Sequence, residues 1–93
     1  MNHGSELQAV LCALAAYLLA HPKASDTVDG MQRWWFEEGN LVNFDVLAEV
    51  LNIMKERGLM EERVAADGRV RYRRIASDDV LVGLLRDPGC AAA

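Results

Sequence analysis

No apolar run in this chain reaches the roughly 18 residues that a membrane-spanning helix needs. The longest apolar stretch, Leu7 to Ala20, follows Glu6, contains Gln8 and has no basic segment before it. A signal peptide is therefore a poor reading, and cytoplasm is the expected compartment. Cysteine is scarce: Cys12 and Cys90 lie 78 positions apart, with no CxxC and no Cys/His cluster. Cys12 sits in a helical apolar stretch, where a thiol serves as a small hydrophobe, and Cys90 falls in a short terminal tail. HExxH is also lacking, and His3 and His21 are isolated, so neither a metal site nor a cofactor is expected. His21 precedes Pro22 at a helix end, an ordinary place for a polar surface residue. There is no glycine-rich phosphate loop and no nucleophile–base pair. Asp26, Asp29, Glu37 and Glu38 are explained by helix capping and surface charge, so an enzyme is not expected.

What is present is apolar content. It amounts to 52% over 93 residues, enough for one packed core and too short a chain for two. The net charge of −4 is unevenly spread. Residues 1–58 hold four basic and eight acidic side chains, residues 59–75 five arginines and three acids, and residues 76–93 one arginine and three aspartates. These segments contribute −4, +2 and −2, so the positive charge is concentrated in one short region.

Periodicity and end signals place the elements. A first helix is expected from Ser5, with Ser5-Glu6-Leu7-Gln8 as a capping box, and it ends before Pro22. Leu7, Leu11, Leu14 and Leu18 form its main stripe. Its other faces are apolar too, which calls for cover on more than one side. A second copy of the chain is the expected cover, giving a homodimer through Val10, Ala13 and Tyr17 together with Leu81, Leu84 and Leu85. A second helix, capped by Ser25 or Asp26, runs to about Trp35 or Phe36. Its adjacent Trp34 and Trp35 point about 100° apart, so both cannot face the centre of the core equally. Both are expected to be structural within the monomer or dimer, and the alternative is that one of them marks a partner site or ligand pocket. A third helix starts near Asn43 with Val46, Leu47, Val50, Leu51 and Met54 as its stripe, and Gly58 ends it. Strands are expected at Leu59–Val64 and Val70–Ile75, joined by a two-residue turn at Asp67-Gly68. Val70 and Tyr72 alternate with Arg71 and Arg73, giving one apolar and one basic face. A very short third strand is expected near Leu41–Val42. A last short helix begins at Ser77 and stops at Asp87-Pro88-Gly89.

The passage Val46-Leu47-Ala48-Glu49-Val50-Leu51, then Lys55-Glu56-Arg57-Gly58-Leu59-Met60-Glu61-Glu62, resembles the run from recognition helix into wing of a winged helix-turn-helix. Asp67-Gly68-Arg69 and Arg71-Tyr72-Arg73 look like a wing tip and its return strand. The resemblance, to small bacterial transcription regulators, covers residues 5–86 and leaves 87–93 as a tail. It implies a mainly α fold with a small β-hairpin: a three-helix core, a wing and a short C-terminal helix. The function it implies is double-stranded DNA binding in transcription control. Asn52 and Lys55 of the third helix would then face the major groove, and Arg63, Arg69, Arg71 and Arg73 would lie on phosphates. The alternative is a winged helix used for protein–protein contact. The outward face of the third helix, Asp45, Ala48, Glu49, Asn52 and Glu56, is acidic, and the connection from Glu37 to Val42 exceeds a tight helix-turn-helix turn.

Overall fold

The computed structural model describes residues 3–36, 42–87 and 90. Among these residues the elements run α1 (His3–Ala20), β1 (Ser25–Asp26), α2 (Val28–Trp34), α3 (Phe44–Glu56), β2 (Met60–Val64), β3 (Val70–Arg74) and α4 (Asp78–Leu85). The chain is thus mainly α with a small antiparallel sheet of order β1-β3-β2. No helix among the described residues is long and apolar enough to cross a membrane.

α3 forms where its sequence signals place it. The Asn43 side chain accepts from the amides of Asp45 and Val46 at 2.8 and 3.2 Å, satisfying two free donors of the first turn. At the other end Gly58 takes φ +72, a left-handed conformation cheap only for glycine. The Leu59 amide then donates to Met54 O and the Gly58 amide to Lys55 O, closing a Schellman motif. All five stripe residues are buried, and Leu47, Val50, Leu51 and Met54 are completely so. Each such burial contributes roughly 1.5–3 kcal/mol. α3 packs on α1, α2 and β2, so it is the centre of the core.

Four expectations need correction. α1 begins at His3, so Ser5 lies inside the helix rather than at its cap. Gln8 does not reach back: its Nε2 donates to the sulfurs of Cys12 and Cys90, each at 3.7 Å. Ser25 and Asp26 do not cap α2, because they are extended and paired with Arg73 and Tyr72 of β3. The cap moves to Thr27, whose hydroxyl accepts from the Gly30 amide at 3.1 Å. The third strand is therefore β1. Of the pair expected there, Leu41 lies outside the described residues and Val42 is not in a strand. The hairpin loop has three residues rather than two. The Ala65 amide donates to Arg69 O and the Gly68 amide to Ala65 O, and only Gly68 has positive φ. A two-residue type I′ turn would need positive φ at Asp67 as well. A type I turn followed by a left-handed glycine requires it once.

The cover of α1 also differs from expectation. α3 and α4 of the same chain lie against it. Val10 and Leu81 are buried within this chain, and Tyr17, Leu84 and Leu85 are partly buried against its core, while Ala13 stays exposed. Cys12 and Cys90 form a disulfide, with Cα atoms 5.5 Å apart. Cys12 is therefore not a free thiol, and Cys90 is tied to α1 rather than frayed.

Candidate functional site

The register of β2 and β3 sorts the hairpin side chains. Glu62 faces Tyr72 and Val64 faces Val70, on the side of the sheet turned to the helices. Glu61 faces Arg73 and Arg63 faces Arg71, on the outer side. Like charges directly opposite one another disfavour the pairing, and Glu61 offsets part of that cost. Its carboxylate accepts from Arg73 Nε and lies 3.4 Å from Arg63 Nε. The Arg73 hydrogen bond is the main reason the Glu61 carboxyl is held below the usual carboxylate range. Arg69 approaches Asp67 at 3.8 Å. Arg71 has no acidic partner among the described residues.

Arg74 is not part of that cationic face. Its side chain is only 10% exposed, and it donates to Leu18 O at 3.0 Å, to Ala76 O at 2.6 Å and to the Asp78 carboxylate. It ties the end of α1 to β3 and to the start of α4.

On α3, Lys55 is 3.1 Å from the Glu62 carboxylate. That bond raises the lysine and, together with a hydrogen bond from Tyr72, lowers Glu62. Burial, helped by the Glu62 bond, pushes Tyr72 up. Lys55 is therefore already partnered. Asn52 is exposed beside the exposed acids Asp45, Glu49 and Glu56. The two residues expected to read bases thus stand on a face whose other charges are negative.

The two tryptophans meet different surroundings. Trp35 is 7% exposed and stacks on Tyr17 with ring centroids 4.4 Å apart. Trp34 is 75% exposed. It lines an open cleft of about 630 Å³ between α2, the start of α3 and the β2–β3 hairpin. Arg33, Phe44, Arg69, Val70 and Arg71 line the same cleft, and Phe44 is itself 47% exposed. Arg33, like Arg71, has no acidic partner among the described residues. Asp26 and Asp29 are the acids of the cleft. Asp26 accepts from the Thr27 amide at 2.7 Å and occupies the space beside Gly30, where a Cβ would lie 2.0 Å from its Oδ1.

No protein-family model, no curated protein and no solved structure matches the chain. The site must be read from its own chemistry. The sequence flagged Trp34 and Trp35 as a pair, and the hairpin arginines, but it did not join them to Arg33 or Phe44. One signal was available: Phe44 is a large apolar residue off the buried stripe of α3. Among the described residues no group of three or more His, Cys, Asp or Glu side chains gathers to hold a metal ion.

Proposed function

We propose that this chain is a winged-helix module that binds protein partners through the cleft between α2 and the wing. The winged-helix part is supported by the order of elements: a short strand between the first two helices, then α3, then a hairpin, with β3 central in the sheet. The protein-contact part is carried by one observation. Trp34 stands largely exposed in a formed cleft, beside Phe44 and two arginines with no acidic partner among the described residues. Trp and Arg dominate the residues that anchor protein interfaces, and a solvated Trp is a poor use of the largest apolar side chain otherwise. Duplex DNA is served less well. A helix entering the major groove between phosphates would bring Asp45, Glu49 and Glu56 with it.

The second reading is DNA bound through the wing alone, and the facing pair Arg63 and Arg71 favours it. Each phosphate those arginines neutralise would add a salt-dependent increment of affinity. Two measurements separate the readings. A displayed library of linear peptides is panned against the wild type and Trp34→Ala, and mixed-sequence duplex DNA is titrated at low and moderate salt. Protein contact predicts peptides enriched on the wild type and lost on Trp34→Ala. No enrichment, together with duplex binding abolished by Arg69→Ala, Arg71→Ala and Arg73→Ala combined, would replace it with the DNA reading.

A further inference from the structure

The edge of β3 that borders the cleft is only half used. β1 pairs with β3 at Tyr72 and Arg73 alone, after which the chain leaves through Thr27 into α2. Arg69 O accepts from the Ala65 amide, so it points toward the β2 strand. Successive residues of an antiparallel strand turn their backbone groups to opposite edges. The N–H and C=O of Val70 therefore point away from β2, into the cleft, where no other strand lies among the described residues. An open edge of this kind is a template for an added strand.

The walls fix what that strand would have to carry. Side chains of an extended segment alternate between two sides. On the helix side a guest residue would meet Trp34, Phe44 and Val70, all exposed apolar surface. On the outer side it would meet Arg69 and Arg71, and Arg71, which faces Arg63 across the hairpin, has no acidic partner among the described residues. Arg33 adds a further cation at the rim. A nucleic-acid strand fits less well. Its phosphodiester backbone offers acceptors only, so the Val70 carbonyl would go unanswered.

We infer that this cleft takes an extended peptide segment alternating acidic and large apolar side chains, added as a strand on the free edge of β3. The inference rests on the protein-contact reading and gives that partner its chemistry.

The test uses the full chain and a short labelled peptide alternating glutamate and leucine, followed by fluorescence anisotropy. Saturable binding is expected, weakened about tenfold or more by Arg71→Glu or Trp34→Ala and largely kept by Arg71→Lys. The counterpart with lysine for glutamate should not bind. Methylating the backbone nitrogens that face β3 should abolish binding, because they would donate to Val70 O. Equal binding of the lysine peptide overturns the charge assignment, and equal binding of the methylated peptide overturns strand addition. If panning instead yields Trp34-dependent peptides without acidic–apolar alternation, the chemistry inferred here falls while protein contact stands. If panning yields nothing, protein contact fails and the inference with it. A single-stranded oligothymidylate that binds in an Arg71-dependent way while the glutamate peptide does not would make nucleic acid the occupant and overturn both.

Discussion

Removing the Arg74 guanidinium strands two carbonyl oxygens, those of Leu18 and Ala76, and leaves the Asp78 carboxylate without its partner. Unpaired polar groups in a mostly buried setting cost more than the bonds themselves contribute. We expect Arg74→Ala to lower stability by about 2–3 kcal/mol in urea unfolding, against about 0.5 kcal/mol or less for the exposed Arg71→Ala. Equal effects would show that Arg74 is not the tie described above. Gly30 and Asp26 form a second pair worth measuring. Alanine normally adds about 1 kcal/mol to a helix interior relative to glycine. At Gly30 the new Cβ would displace the Asp26 carboxylate from the Thr27 amide. Gly30→Ala should therefore stabilise the Asp26→Ala background but not the wild type, a coupling on the order of 1 kcal/mol in a double-mutant cycle. Additive effects would remove the steric account. Neither role was legible from sequence. Arg74 reads as one more cation in an arginine-rich strand, and only the arrival of the Leu18 carbonyl, 56 positions away, separates it from Arg71.

At the scale of elements, the ion pairs of the β2–β3 hairpin make it sensitive to pH. Arg73 holds Glu61 below the ordinary 4.5, and Lys55, ahead of Tyr72, does so for Glu62. Both carboxyls bind protons more tightly in the unfolded chain. Their contribution is thus present above pH 4.5 and lost as pH falls through their lower folded values. Lys55 is raised above 10.5, so its share is complete below that pH and lost as pH rises through the folded value. The urea midpoint should drop on acidification below about pH 4.5, and less steeply in Glu61→Gln. An identical acid limb in the two proteins would separate Glu61 from the effect. α3 was legible because three independent signals agreed: a capping Asn43, an unbroken apolar stripe and Gly58. β1 was not, since two residues carry no period, and Ser25-Asp26 reads equally well as a helix cap. The hairpin loop was half legible, because Asp67-Gly68 suits both turn types and only the φ of Asp67 separates them.

For the whole molecule, the Cys12–Cys90 bond spans 78 positions, almost the entire chain. Closing a loop of that size removes unfolded-state entropy equivalent to about 4–5 kcal/mol. Reduction, or paired Cys12→Ser and Cys90→Ser, should lower the urea midpoint by a corresponding amount without changing the fold at low denaturant. An unchanged midpoint would mean that the two cysteines are not bonded in solution. The pairing was invisible beforehand because spacing says nothing about which helix face a terminal residue will meet. The same bond decides where a mechanical load travels. Tension applied through anything attached before position 12 and after position 90 runs across the sulfurs and bypasses α2, α3 and the sheet. Only the α1 residues that precede Cys12 can peel away while the bond holds. In single-molecule pulling the intact protein should therefore give almost no extension on unfolding. Added reductant should release the 78 shielded intervals as one gain of about 27 nm, at roughly 3.5 Å for each. A full-length release without reductant would show that the load crosses the fold after all.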